Sequence, residues 1–410
     1  MRGLGLATKV LKFGGTSVGS LERIRASAAI AAAECRRGEA VAVVVSAMAG
    51  ETDRLLGLAN GFGFELGDEE TDVVVSSGEQ VSAALMAMAL RREGLQSRSF
   101  LGWQARIRTD GPPGAARISG LDATPIRKAM DEGCVPVMAG FQGASPDDRL
   151  RTLGRGGTDL SAVALAAALD AHCDIYTDVD GVFTTDPRIE PKARRIQKIS
   201  YDEMLELAAQ GAKVLQTRSA ELAKARNVPL RVLSSFAEPG QSEGTMIMQA
   251  EDIAERRIVS GIAYARDQAR IALRGLSQSP EAAAGVFSGL ADADIGIDMI
   301  VQSPASEAGR ANLEFTVDRR DLRDALTRIG ESDARDVLSE TGLAKVSVVG
   351  LGLNRRADVA RILYCALAEQ KIAVRTVATS EIKISVLIEN DAVEHAVRAL
   401  HAAYGLDSEA

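Results

Sequence analysis

The chain has 410 residues, 46% hydrophobic, 25% charged and only 4% aromatic, which is enough for two or three domains with aliphatic, alanine-rich cores. A formal net charge of -8 with no Lys/Arg block excludes a nucleic-acid footprint. No apolar run approaches the roughly 18 residues that span a bilayer and no signal-peptide pattern opens the chain, while four single cysteines without Cys-x-x-Cys spacing suit a reducing compartment, so a cytoplasmic protein without membrane partners is expected.

Residues 8–13 read as a strand running into Gly14-Gly15-Thr16-Ser17, and a helix follows from Leu21 to Arg37. Residues 40–46 form a continuous apolar run with β-branched residues, the pattern of a strand buried on both faces. The same alternation predicts strands over Asp72–Ser76, before a helix from about Glu79, and over Val135–Ala139 and Asp174–Thr177. Strands alternating with helices imply parallel βαβ units, hence an open, mostly parallel α/β sheet covered by helices with ligands at the carboxyl ends of its strands.

Polar clusters fall at four predicted strand ends: Lys12 with Gly14-Gly15-Thr16-Ser17, the stretch Ser46–Thr52, Ser76-Ser77-Gly78-Glu79, and the stretch Thr177–Arg188. A fifth stretch, Leu153-Gly154-Arg155-Gly156-Gly157-Thr158-Asp159, opens a small-residue helix. Paired glycines let a ligand approach the backbone, the helix start favours an anion, and Arg155 offers a fork for a carboxylate. Thr158 is expected as the N-cap. Asp159 fits an anion site as the residue that orients a lysine or approaches a metal accompanying a phosphate.

Gly240 and Gly244 punctuate the end of this first region. Beyond it the chain repeats itself: residues 270–276 match 345–351, 295–300 match 372–377, and 311–317 match 382–388. Each copy reads strand, helix, strand, strand, helix, so two ferredoxin-like α+β modules in tandem are expected. His395 and His401 lie on an amphipathic C-terminal helix and are expected at the surface. His172 and Cys173 have no second pair, which argues against a structural zinc site.

The sequence has no Gly-Lys dipeptide and no His-Arg-Asp, which removes the P-loop and the protein-kinase catalytic loop. Phosphoryl transfer needs neither. It needs cations and backbone N–H groups at the transferring phosphoryl, a magnesium ion with the nucleotide, and an acceptor held in line.

Lys12-Phe13-Gly14-Gly15-Thr16-Ser17, Ser76-Ser77-Gly78-Glu79-Gln80, Thr152 to Asp159, Thr177-Asp178-Val179-Asp180-Gly181-Val182 and Gly211-Ala212-Lys213-Val214-Leu215 resemble, in order and spacing, the motifs of the bacterial aspartate kinase family. The tandem repeat resembles that family's two regulatory ACT modules. The resemblance spans nearly the whole chain and implies an amino acid kinase domain over residues 1–248 and ACT modules over 262–338 and 343–408. It implies transfer of the γ-phosphoryl group of MgATP to the β-carboxylate of L-aspartate, the first step toward lysine, threonine and methionine, with Mg2+ carried by the nucleotide.

By the same resemblance Lys12, Asp159 and Lys213 are catalytic. Aspartate lies between Arg155, on a carboxylate, and Glu79, on the α-ammonium, with Ser46, Ala47, Thr52 and Thr158 around it. Gly14, Gly15, Ser17, Gly156, Gly157, Thr177, Asp178, Phe183 and Arg188 join Lys12 and Lys213 at the nucleotide. Phe183 replaces a tyrosine found in some members. No side chain is assigned as a direct metal ligand, Asp159 being the candidate. Lysine or threonine effectors would meet Gln278, Ile297, Asp298 and Gln302. Both modules depart from the family pattern, the first at Ser279-Pro280-Glu281 and Gly296, the second at Asn354-Arg355-Arg356 and Arg375, which puts feedback binding in doubt. A homodimer or larger oligomer through the ACT modules is expected. The alternatives are another carboxylate or amino-acid kinase of the same fold and a catalytically silent allosteric subunit.

Overall fold

The computed structural model describes residues 8–209, 215–254, 257–330 and 332–408. They divide into two compact units. The first holds residues 8–182, 195–208 and 215–254, and the second holds residues 183–194 with the part of the chain from 257 onward.

The first unit begins β1 (Thr8–Phe13), α1 (Leu21–Arg36), β2 (Ala40–Val45), α2 (Glu51–Asn60) and α3 (Glu69–Arg92). It continues through β3 (Ser97–Phe100), β4 (Ile107–Asp110), β5 (Arg117–Leu121), α4 (Thr124–Asp131), β6 (Val135–Ala139), β7 (Gln142–Ala144), β8 (Leu150–Thr152) and α5 (Gly157–Leu169). After β9 (His172–Thr177) come β10 (Lys198–Ser200), α6 (Tyr201–Ala209), α7 (Thr217–Arg226), β11 (Leu230–Ser234) and β12 (Thr245–Met248). Eight strands form the main sheet in the order β10-β12-β11-β9-β1-β2-β6-β3. Every neighbouring pair is parallel except β11 with β12.

Residues 41–45 of β2 are all buried, as their unbroken valine-rich run requires for a strand covered on both faces. Ile24, Ala28 and Ala31 of α1 and Met86 and Leu90 of α3 pack with it in one core. Helix α5 is apolar all round and almost wholly buried, the mark of a helix inside the fold.

Asp72–Ser76 is not a strand. Those residues lie in the first turns of α3, which is capped by Asp68, whose carboxylate accepts from the Glu70 and Thr71 amides. Val73-Val74-Val75 imitates a strand locally, but the cap and the acids Glu69, Glu70 and Asp72 in the first turn favour the helix. Ser76 to Glu79 therefore lie inside a helix and not at a strand end. α3 is also long and apolar enough by length and composition to cross a membrane, contrary to the expected absence of such a run, but half of its apolar window is buried inside the unit.

The second unit repeats one order twice: β13 (Gly261–Ser277), α8 (Pro280–Ala291), β14 (Asp298–Pro304), β15 (Arg310–Asp318), α9 (Leu322–Ile329), then β16 (Asp336–Val349), α10 (Ala357–Glu369), β17 (Thr376–Thr379), β18 (Lys383–Glu389), α11 (Val393–Ala403). Its six-stranded sheet runs β14-β15-β13-β16-β18-β17. β13 changes company midway. Residues 261–265 pair with 345–349 of β16, and after an irregularity at Ala265 to Gln268, where Asp267 has φ 55°, residues 270–274 pair with 336–340. Ile262 thus belongs to the core of the second copy, whereas Ile271 and Leu273 belong to that of the first.

Residues 183–194 are part of this unit. Thr184 accepts from the Ile262 amide at 2.7 Å, Asp186 from the Tyr264 hydroxyl at 3.0 Å, and the Ile189 carbonyl from Arg398 at 2.8 Å. His401, expected at the surface, is buried with Nε2 2.9 Å from the Thr184 hydroxyl. The amphipathic pattern put it near the apolar boundary of α11, and this segment covers it. Burial holds its imidazole below the ordinary pKa. His395 is exposed as expected.

Candidate active site

Lys12 stands near the carboxyl end of β1, between Val44 of β2 and Ile175 of β9. Its ammonium lies 2.6 Å from Asp159 Oδ1, with both side chains about nine-tenths buried. Gly14 leaves room for that ammonium, since a methyl there would stand 3.2 Å from Nζ. Of the sequence-predicted catalytic set, the structure thus brings Lys12 and Asp159 together. Lys213 and its motif from Gly211 to Val214 lie outside the described residues.

The helix carrying Asp159 does not start as expected. Gly156, at φ 75°, is the N-cap of α5, no side chain caps the helix, and Thr158 sits within its first turn. A left-handed cap favours glycine over threonine, and a methyl at Gly156 would also lie 2.1 Å from the Gln216 side chain. The outcome is an uncapped helix start, which favours an anionic ligand through its N–H groups and dipole. Thr158 packs its methyl against Gly140 instead.

A cavity of about 300 Å³ opens beside this turn, lined among others by Ser46, Ala47, Thr52, Glu79, Phe141 and Arg155. Five of the six residues predicted for the amino acid are therefore in one place, and Thr158 is not on its wall. Glu79 is buried, accepts the Ala47 amide on Oε1 at 3.0 Å, and has Oε2 without a partner. Burial pushes its carboxyl up to about 7, against the opposing pull of the Ala47 and Glu79 backbone amides. Arg155 is exposed and makes no ion pair among the described residues. An unsatisfied carboxylate and an unpaired guanidinium lining one cavity can meet the two opposite charges of a zwitterion.

The predicted nucleotide residues divide. Gly14, Gly15 and Ser17 follow β1, and the Gly14 amide reaches the Tyr176 carbonyl at 3.3 Å. Ser17 donates to Ser235 at 2.8 Å, and Ser235 bonds the Thr177 carbonyl through its amide at 2.8 Å and its hydroxyl at 3.0 Å. Thr177 donates to the exposed Asp178 at 3.1 Å. Phe183 and Arg188 belong to the second unit, where Arg188 is exposed and paired with Asp186 at 2.8 Å.

Ser235 and its neighbours escaped sequence reasoning. Arg23 donates to the Ser235 carbonyl at 2.5 Å and stacks 3.8 Å over the Phe236 ring. The signal was present as Ser234-Ser235 at the end of β11, another polar pair at a strand end. The effector candidates Gln278, Ile297 and Gln302 are exposed, while Asp298 is already ion-paired with the buried Lys345 and accepts the Met299 amide at 2.8 Å.

Comparison with known proteins follows the same division. Residues 7–234 match the amino acid kinase family and residues 346–404 match the ACT domain. The chain is 47% identical to an aspartokinase of Pseudomonas aeruginosa, covering 99% of each. It is 45% identical to an aspartokinase of Geobacillus stearothermophilus, covering 98% of each. Among solved structures, E. coli aspartokinase III in complex with aspartate and ADP superposes with a TM-score of 0.77 at 27% identity, over 97% of this chain and 99% of that one.

Proposed function

The chain belongs to the amino acid kinase family, in the aspartate kinase branch that carries a C-terminal ACT domain, and from that premise we propose how its residues carry out the reaction. The enzyme is an ATP-dependent kinase that acts on aspartate. In our reading aspartate occupies the cavity of about 300 Å³, its α-ammonium on Glu79 and a carboxylate on Arg155. The observation that carries this is Glu79 Oε2, a buried carboxylate oxygen with no partner in the same cavity as Arg155. The E. coli structure bound to aspartate and ADP supports aspartate and a nucleotide as the ligands.

The β-carboxylate is ionised at neutral pH, so no general base is required. One of its oxygens attacks the γ-phosphorus, the new O–P bond forms as the bond to the bridging oxygen of ADP breaks, and the electron pair leaves with ADP. Lys12 neutralises charge growing on the transferring phosphoryl group, and the uncapped start of α5 at Gly156 and Gly157 meets its oxygens. Asp159 fixes the Lys12 ammonium at 2.6 Å. Lys213 completes the cation set in this reading.

Among the described residues, no group of three or more His, Cys, Asp or Glu is assembled. Asp159, whose buried Oδ1 has no hydrogen-bond partner and faces Lys12, is the carboxylate that would meet a Mg2+ arriving with its own phosphate ligands. When bound, Mg2+ neutralises the nucleotide phosphates. Ser17 and Thr177, tied together by Ser235, serve the nucleotide side, with Asp178 next to them. Phe183 and Arg188 keep that assignment on their sequence motif alone.

We assign residues 1–248 to catalysis and 262–338 and 343–408 to two ACT modules. We propose lysine or threonine control through these modules; for lysine as an effector, E. coli aspartokinase III in complex with lysine and aspartate, 27% identical with a TM-score of 0.78, is the support. The outer strands β14 and β17 leave sheet edges for self-association. An ATP-dependent assay with hydroxamate trapping over aspartate, glutamate and N-acetylglutamate tests the main reading: turnover confined to aspartate supports it, and preference for another acceptor overturns it. The same assay with lysine, threonine and their mixture at millimolar concentration tests the control, which fails if none inhibits.

A further inference from the structure

Asp72 is wholly buried in the first turn of α3, and no cation is paired with it among the described residues. Its carboxylate instead takes four donor contacts. The Gly114 amide reaches Oδ1 at 3.0 Å and Oδ2 at 3.1 Å, the Thr152 amide reaches Oδ2 at 3.0 Å, and the Thr152 hydroxyl donates to Oδ1 at 2.5 Å. Every partner is a donor, so a carboxylate satisfies the site whereas an amide would turn N–H against N–H. Thr152 ends β8, three residues before Arg155.

Asp72, Ser76 and Glu79 are spaced four and then three apart, so they share one face of α3. Gln142 Nε2 donates to the Ser76 carbonyl at 3.1 Å from the same side. Arg149 reinforces the junction, 2.5 Å from Glu70, and Arg151 pairs with Glu69. One rigid helix therefore carries the group that faces the substrate ammonium and, about 10 Å along its axis at 1.5 Å per residue, grips the strand that delivers the guanidinium.

We propose that Asp72 is a positioning residue that fixes the Arg155 turn relative to Glu79 and so sets the length of amino acid the cavity accepts. This rests on the reading of Glu79 and Arg155 as the two ends of the aspartate site. Aspartate and glutamate share their α-groups and differ by one carbon, so they are separated by the distance from the Glu79 clamp to the α5 start at Gly156 and Gly157, where the side-chain carboxylate has to meet the phosphoryl group.

The test compares the parent enzyme with Asp72→Asn, Thr152→Val, Thr152→Ser and Glu79→Gln, all checked for folding by circular dichroism. The readouts are KM for L-aspartate, KM for ATP, and the inhibition constant of L-glutamate against L-aspartate. Asp72→Asn is expected to raise KM for aspartate about 10- to 100-fold, to narrow the gap between aspartate and glutamate, and to leave KM for ATP unchanged. Thr152→Val, which deletes only the hydroxyl contact, shifts the same two quantities in the same direction, and Thr152→Ser restores them. If Asp72→Asn does not fold, the two Thr152 variants decide. The proposal is overturned if folded variants keep the parent's discrimination, or if both KM values rise together as in general loosening. An unchanged aspartate KM in Glu79→Gln would instead overturn the underlying site reading.

Discussion

Lys12 Nζ and Asp159 Oδ1 stand 2.6 Å apart, joining the end of the central strand to the first turn of the most buried helix of the first unit. The contact is an ion pair rather than an aligned hydrogen bond, so the ammonium keeps donors for a phosphoryl oxygen. Lys12→Ala should lower kcat about 10²- to 10³-fold, the scale of one lost electrostatic stabiliser, with little change in KM for aspartate. Steady-state kinetics by ADP release measures it, and near-parent turnover would remove Lys12 from the mechanism.

Glu79 gives a pH signature. Its carboxyl is pushed up to about 7 by burial, while only the charged form attracts the substrate ammonium. Below pH 7, kcat/KM for aspartate should fall by up to about tenfold per unit, and Glu79→Gln should start low and stay flat. The sign for stability is opposite. A carboxyl whose folded pKa is raised favours folding at low pH and loses that contribution as pH climbs toward 7. Glu79→Gln should therefore melt higher than the parent at pH 8 and alike near pH 4.5. Melting curves at both pH values check this, and equal curves at pH 8 would contradict the burial argument.

Gly156→Ala places a methyl on a left-handed cap, costing about 1–2 kcal/mol from the backbone alone, and drives that methyl into Gln216. The α5 start should shift and kcat should drop. Urea unfolding together with kinetics is the measurement. A stable and fully active variant would show that the cap geometry is dispensable.

His401 should make the second unit acid-sensitive. Its folded pKa is held below the ordinary value by burial, so the unfolded chain takes up the proton first. Stability present above about pH 6.5 is then lost as pH falls below that value. His401→Gln keeps a partner for Thr184 without titrating, and its unfolding midpoint should fall less between pH 7 and 5. Parallel midpoints in the two proteins would reject the assignment.

Much of this was legible in residue order because local and tertiary preferences agree. The valines of residues 41–45 demanded a strand covered on both faces, and Gly-Gly next to Lys12 marked a ligand-approaching turn. Where they disagree, the reading failed. Val73-Val74-Val75 has strand character, yet Asp68 and three acids make it the start of a helix, which put the Glu79 motif on the wrong element while leaving its residue in the right cavity. Thr158 is a good cap by type but lost the position to Gly156 through backbone sign, which a sequence does not display. His401 and residues 183–194 lie 217 residues apart at their Thr184 contact, and no periodicity reports a segment returned from so far upstream. Asp72 was invisible for the same reason, since its partners Gly114 and Thr152 are distant in the chain and contribute backbone as much as side chain.

The strand β13 spends its first residues in one core and its last in the other, and β16 pairs with it along both stretches in the opposite direction. Two copies born of a duplication have thereby surrendered their independence: neither could be replaced by a foreign counterpart without stripping a strand from its sibling. Heat or denaturant should find a single melting event in this half of the chain, and whatever ligand steadies one copy raises the resistance of both.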